Sequence, residues 1–127
     1  MLFKKIFEGR VFSASNGTAA QVKLPVTNGG RNCKVVQYMV KTVQTSGSAA
    51  RITVELWHGP DGTTFVQLGT TPINTQDPGT SLPSVLAGDT GSSVVGEYLL
   101  PIVKVTDGVA SNQQWAYIEV YEMRKPF

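Results

Sequence analysis

The feature that most constrains this chain is an alternation with a period of two residues in two separated segments. Every second residue is apolar in Arg51–His58, and Trp115–Met123 repeats the pattern. Successive side chains of a β-strand point to opposite faces, so a period of two predicts strands with one buried face. We expect the inward residues to belong to the core: Ile52, Val54, Leu56, Ile118 and Val120.

Three further segments have the composition of strands. Gln21–Val26 alternates in the same way, Cys33–Val43 is rich in valine, and Glu97–Thr106 is another apolar run. β-Branched residues favour the pleated, half-buried surface of a sheet. Gly59–Gly62 has the sequence Gly-Pro-Asp-Gly and predicts a tight turn, so Thr63–Leu68 should be the returning strand of a hairpin.

Together these segments predict an all-β chain. Short strands separated by regular turn signals favour an antiparallel β-sandwich, jelly-roll or immunoglobulin-like, of about seven or eight strands. A length of 127 residues fits one domain. We therefore expect an N-terminal arm at residues 1–12, where a short amphipathic helix could form, and one sandwich domain at residues 13–127. A long loop at residues 70–94, rich in Pro and Gly, could hold one short strand or helical turn near residues 82–86.

The charge of the chain excludes several classes of partner. Charged residues make up 16% of the chain and the net charge is only +2. The basic residues are scattered, whereas proteins that bind nucleic acid usually concentrate lysine and arginine on one face. No apolar run is long enough to span a membrane, and the first residues lack the apolar core of a signal peptide. We expect no nucleic-acid partner, no membrane partner, and synthesis in a reducing cytoplasm.

The chain offers few residues for catalysis or metal binding. A structural zinc site needs about four Cys or His ligands, and this chain has only Cys33 and His58. A single cysteine also excludes an internal disulfide. The aspartates stand beside Gly or Pro, where Asp commonly bonds its own backbone in a turn. We expect no cofactor, no metal and no enzymatic activity, with His58 structural or solvated.

Aromatic side chains supply one hint of a binding surface. Trp57, Trp115, Tyr117 and Tyr121 could form a platform on which a sugar stacks, because aromatic faces bind flat apolar surfaces. Packing in the core or at a subunit interface is the alternative that we favour for them.

Two segments resemble structural proteins of tailed-bacteriophage virions. Val54–Phe65 ends a strand in Trp57-His58, turns through Gly-Pro-Asp-Gly-Thr, and opens the return strand with Phe65. Residues 115–127 form a final strand with almost no tail, and the two segments cover about a fifth of the chain. The resemblance is to small capsid decoration, or cement, proteins. It implies that the chain binds the major capsid protein at the virion surface after synthesis in the host cytoplasm, and it carries over no catalytic residue.

The partner-binding residues that we predict lie mainly in the arm. Its first seven positions include four large apolar residues after the initial methionine, which is too many for a free tail. We expect them to dock on a neighbouring subunit, with two adjacent lysines steering the contact. The predicted set is Leu2, Phe3, Lys4, Lys5, Ile6, Phe7, Trp57, Leu82 and Leu86.

We also expect a homo-oligomer, a trimer, because a closed ring is the usual way for a small subunit to build a large interface. The arm could instead add an edge strand to its own sandwich. The chain could also be a carbohydrate- or receptor-binding module of a tail or fibre. A third alternative is another virion assembly subunit, such as a tail-tube, head-completion or coat protein.

Overall fold

The computed structural model describes residues 3–14, 20–47, 50–79, 81–107 and 113–127. These residues form nine strands and a single turn of 3₁₀ helix at Gly30–Asn32. The strands are β1 (Lys4–Phe12), β2 (Ala20–Lys23), β3 (Cys33–Thr45), β4 (Ala50–Gly59), β5 (Val66–Gln67), β6 (Ile73–Gln76), β7 (Ser84–Asp89), β8 (Tyr98–Asp107) and β9 (Trp115–Pro126). None of the helical structure in these ranges is long and apolar enough to cross a membrane.

Two antiparallel sheets make up the molecule. The first sheet has the order β1-β9-β3-β7, and the second has the order β2-β8-β4-β5, with β6 also paired to β4. The predicted antiparallel β-sandwich is confirmed. The strands number nine over the described ranges, where we expected seven or eight.

The core lies between the two sheets and is built from alternate residues of the long strands. Ile52, Val54 and Leu56 on β4, with Ile118 and Val120 on β9, are fully buried, as the alternation predicts. Residues from the neighbouring strands complete the centre of the core: Val11, Val36, Tyr38, Val40, Leu99, Val103, Val105 and Ala116.

The segment that we predicted as an arm is strand β1 from Lys4 onward. It pairs antiparallel with β9, and Val11 stands opposite Ala116. Val11 is fully buried, and Ile6 and Phe7 pack against the core. No short helix forms here, because these apolar side chains reach the core only when the chain runs along the edge of the first sheet. This segment therefore adds an edge strand to its own sandwich, which is the alternative that the sequence left open.

The segment that we predicted as one long loop, residues 70–94, contains strands β6 and β7. Strand β7 pairs with β3 and begins at Ser84, within the region at residues 82–86 where we expected a short strand or helical turn. Both strands are short. Only Ile73 of β6 is buried, and the half-buried positions of β7 are Ser84, Leu86 and Gly88, so neither segment shows an alternation of apolar and polar residues in its sequence. Gly88 is required in β7, since a Cβ there would lie 1.7 Å from the Pro72 carbonyl oxygen.

The predicted β4–β5 hairpin forms, with a shorter return strand than expected. The Asp61 carboxylate accepts hydrogen bonds from the backbone N–H groups of Thr63 (2.9 Å) and Thr64 (2.7 Å). Since these amides bond to Asp61, they are lost to the strand ladder, and the return strand begins only at Val66. The same hydrogen bonds hold the pKa of Asp61 below its usual range.

Candidate functional site

The predicted arm residues are only partly available to a partner. Phe3 is half-buried just before β1, and Lys4 and Lys5 are exposed. Ile6 and Phe7, which we expected to dock on a neighbour, are half-buried against the core of their own sandwich. Leu2 lies outside the described residues.

The other predicted partner-binding residues lie elsewhere on the molecule. Leu86 is in β7, at the opposite edge of the first sheet from β1, and packs against the core. Leu82 is half-buried just before β7. Trp57 is on β4, in the second sheet. The predicted partner-binding residues therefore lie in three separate places and do not form one site.

The outer side of the first sheet is built by strands β1, β9, β3 and β7. Alternation from the buried residues places aromatic, arginine, methionine and valine side chains on it. We call this surface the first-sheet face and define it by Arg10, Phe12, Met39, Val43, Val85, Trp115, Tyr117 and Tyr121. Phe12, Val43 and Val85 are exposed to 43%, 38% and 55%. Aromatic residues, Met and Arg are the types enriched in protein interfaces.

Charges on the first-sheet face are paired with one another. The Glu8 carboxylate accepts hydrogen bonds from Lys5 Nζ (2.7 Å) and from the Tyr117 hydroxyl (2.6 Å). Glu119 accepts one from the Tyr121 hydroxyl (2.5 Å) and has Lys41 Nζ at 3.8 Å. The Lys5 contact lowers the pKa of Glu8, and the hydrogen bond to Glu8 raises the pKa of Tyr117. Compensated charges lower the cost of covering the surface with a partner.

The fold divides the four aromatic residues that we grouped as a sugar platform, with three on the first sheet and one on the second. Trp115, Tyr117 and Tyr121 belong to the first-sheet face, and the Arg10 guanidinium lies 4.4 Å from the Trp115 ring centroid. Trp57 lies in the other sheet, beside Phe65, Leu100 and Ile102. Sequence reasoning missed these three neighbours. For Leu100 and Ile102 the signal is the unbroken apolar run at residues 99–103. Such a run is typical of a strand that is covered on both faces.

The end of the sandwich near β1 is closed by a buried ionic contact. The Tyr38 hydroxyl donates to Glu122 (2.9 Å), and Arg124 Nε donates to the same carboxylate (2.8 Å). Arg124 also donates to the Asn28 carbonyl oxygen (2.7 Å), which ties β9 to the segment after β2. Burial raises the pKa of Tyr38 well above its usual value. These contacts are structural, because they link the two sheets.

His58 is part of a similar backbone contact. Its Nδ1 atom accepts a hydrogen bond from the Gly96 backbone N–H at 2.9 Å and so holds the segment before β8. The part of the chain that the structure describes contains no group of three or more His, Cys, Asp or Glu residues placed to hold a metal ion. The buried thiol of Cys33 has its pKa raised by burial.

The chain was compared with known proteins. No protein-family model matches it, and no curated protein matches it. Among solved structures it is similar to VP2 of infectious bursal disease virus in a subviral particle, with 11% identity and a TM-score of 0.67 over 98% of this chain and 32% of that one. It is also similar to a chain in the structure of the Gx strain of infectious bursal disease virus (10% identity, TM-score 0.54, 95% of this chain and 32% of that one). A third match is a chain in T=1 particles derived from infectious bursal virus (12% identity, TM-score 0.54, 98% of this chain and 31% of that one).

The chain thus spans about a third of the length of the chains that it matches. At this level of identity the likeness concerns the fold alone. The chain shares its β-sandwich fold with part of the VP2 chain of infectious bursal disease virus.

Proposed function

We propose that this chain is a virion structural protein that decorates and stabilises a bacteriophage capsid by binding the major coat protein. The observation that carries the proposal is the likeness to VP2 over 98% of the chain. The VP2 structure is that of a subviral particle, so a sandwich of this fold occurs in a protein of a viral particle. The resemblance of Val54–Phe65 and residues 115–127 to decoration proteins supports the more specific role.

The first-sheet face supplies a physical basis for binding. Binding energy concentrates in a few Trp, Tyr and Arg side chains that a partner can cover, and this face presents all three types. Its carboxylates already have lysine and tyrosine partners, so burial against a coat protein would leave few charges unpaired. A protein with this role acts by binding and packing, and we expect it to lack enzymatic activity.

Coexpression tests the proposal. The full chain would be produced together with the major coat protein encoded by the same genome, and assembled shells would be separated on a sucrose gradient. We expect the chain to co-sediment with the shells and to raise their melting temperature. A chain that stays in the soluble fraction, with shells of unchanged stability, would contradict the decoration role.

A matched pair of variants tests which surface binds. Val85→Lys places a charge on the first-sheet face, and Val66→Lys places the same charge at an equally exposed valine of the second sheet, 62% exposed against 55%. We expect Val85→Lys to weaken shell binding by about tenfold or more, which corresponds to roughly 1.4 kcal/mol. Val66→Lys should bind as the unmodified chain does. Equal shell binding by both variants would show that the first-sheet face is not the surface that contacts the coat protein.

A further inference from the structure

A second surface of different character lies on the outer side of the second sheet. It is a shallow cleft of about 270 Å³. Trp57 and Phe65 contribute its aromatic side chains, and Leu100 and Ile102 its most buried ones. We call it the Trp57 cleft. It is separate from the first-sheet face, because the two sheets turn their outer sides in opposite directions.

The floor of the Trp57 cleft is apolar although it faces away from the core. Leu99 and Val103 point into the core, so Leu100 and Ile102 point outward. They are nevertheless only 8% and 2% exposed. The strand register places Leu100 opposite Trp57. Apolar side chains are therefore collected beneath Trp57 at one place on the outer side of the second sheet.

The Trp57 ring is oriented before any ligand arrives. Trp57 Nε1 donates a hydrogen bond to Glu55 (3.1 Å), and the other oxygen of Glu55 accepts one from Lys104 Nζ (2.8 Å). The Asp61 carboxylate fixes the backbone turn that precedes Phe65. A ligand that stacks on an oriented ring loses less entropy on binding than one that must order the ring.

Polar groups of both hydrogen-bonding types surround the rings. Gln21 and Lys23 are exposed on β2 and line the cleft together with Thr63. An amide donates and accepts, an ammonium donates, and the Thr63 hydroxyl, which donates to Asp61 at 3.1 Å, keeps its oxygen lone pairs as acceptors. A few polar groups placed around an apolar pocket are the usual composition of a small-ligand site.

This combination matches the chemistry of a sugar ring. A pyranose has a face of C–H groups that stacks on an aromatic ring and a rim of hydroxyls that both donate and accept hydrogen bonds. A protein partner fits less well, because a stable protein interface involves about 20–30 residues on each side, whereas seven residues line this cleft. We propose that the Trp57 cleft binds one pyranose unit of a glycan, with the ring stacked on Trp57 and its hydroxyls bonded to Gln21, Lys23 and Thr63. This activity is additional to capsid decoration and does not depend on it.

Nuclear magnetic resonance of the full chain tests the proposal directly. The chain has two tryptophans, so an ¹⁵N-labelled sample has two indole N–H signals, which Trp115→Phe assigns. A glycan array that includes neutral and carboxylated sugars selects the probe, which is then titrated into the labelled protein. We expect a saturable shift of the Trp57 signal and no shift of the Trp115 signal. An array without bound glycans, or shifts confined to Trp115, would overturn the proposal.

Variants provide the second arm of the test. Trp57→Ala should weaken binding of the selected glycan by about tenfold or more, and Lys23→Ala should weaken it several-fold. Trp115→Ala is the matched control and should leave glycan affinity unchanged. If Trp57→Ala melts at a much lower temperature, Trp57→Phe replaces it and should keep the fold and part of the affinity. Unchanged affinity in a folded Trp57 variant would refute the site, whereas coat-shell binding, measured separately, would be unaffected by either result.

Discussion

Glu55 is a partly buried charge on the outer side of the second sheet, with its side chain only 12% exposed. Burial acts to raise its pKa, but the hydrogen bonds from Lys104 and Trp57 outweigh burial and hold the pKa below its usual range. A carboxyl whose pKa is lower in the folded state binds protons less readily there than in the unfolded chain. Its ionised form therefore stabilises the fold above the unfolded pKa of about 4.5, and this contribution is lost as the pH falls through the folded pKa.

Substitution of Glu55 should show that pH dependence. We expect Glu55→Gln to lower the free energy of unfolding by about 1–3 kcal/mol at neutral pH, because hydrogen bonds to a charged group are lost. The difference between the two proteins should shrink as the pH falls below the folded pKa. Urea midpoints of both proteins across the acid range measure it, and a difference that stays constant with pH would contradict the assignment.

Two glycines on either side of the β4–β5 hairpin form a matched pair. A Cβ at Gly59 would lie 1.9 Å from the Thr64 carbonyl oxygen, while a Cβ at Gly69 would meet no atom within 4 Å. We expect Gly59→Ala to destabilise the protein by about 1–3 kcal/mol through overpacking, and Gly69→Ala to change stability by less than about 0.5 kcal/mol. Denaturant midpoints compare them; equal midpoints would mean that the turn can move away without cost.

At the scale of the element, the strands are stabilised by their inward residues. Ile118 on β9 is fully buried, and Val66 on β5 is 62% exposed. We expect Ile118→Ala to cost about 2–5 kcal/mol through lost burial and the cavity left behind, and Val66→Ala to cost less than about 0.5 kcal/mol. Chemical denaturation measures both, and a small loss at Ile118 would show that the core can collapse around the missing side chain.

Strand β1 is an element whose role differs from that of a docking arm. Deletion of residues 1–9 removes Ile6 and Phe7 from their packing against the core and leaves β9 without an edge partner from Ile118 to Glu122. We expect a loss of more than about 3 kcal/mol, seen as a lower melting temperature or as an unfolded chain. Lys4→Ala, at an exposed position of the same strand, is the control and should melt as the unmodified chain does. If the truncated chain kept the melting temperature of the full chain, β1 would not be needed for folding and could act as a docking arm.

At the scale of the whole molecule, the sandwich presents two outer sides with different chemistry. The first-sheet face is aromatic and its charges are paired, whereas the second sheet bears a small cleft with polar groups at its rim. This division is the physical basis for the two separable functions that we propose, shell binding on one side and glycan binding on the other.

The oligomeric state belongs to this scale as well. We expect a trimer, because closed symmetry lets a small subunit build a large interface. Light scattering after size-exclusion chromatography should give three times the chain mass of 13.7 kDa. Val66→Lys serves as a control that should keep this mass. A single-chain mass at all protein concentrations would contradict the expectation.

The sequence by itself determined that the segments of β3, β4, β8 and β9 are strands, and which residues of β4 and β9 face inward. Alternation at Ile52, Val54 and Leu56 is a local property, because a strand turns successive side chains to opposite faces whatever it pairs with. The turn at Asp61 is local for the same reason, since an aspartate bonds to backbone amides only two and three residues away. These features could be predicted because no distant residue is needed to produce them.

Only the tertiary structure decided which strands are neighbours and which outward residues meet. The pairing of β1 with β9 joins the two ends of the described chain, and short local patterns carry no information about such a partner. The Trp57 cleft likewise needs β2, β4, β8 and the hairpin turn in one place. Leu100 and Ile102 are buried on the outer side because distant side chains cover them. Burial of that kind depends on how the strands and loops pack together, so local sequence patterns cannot predict it.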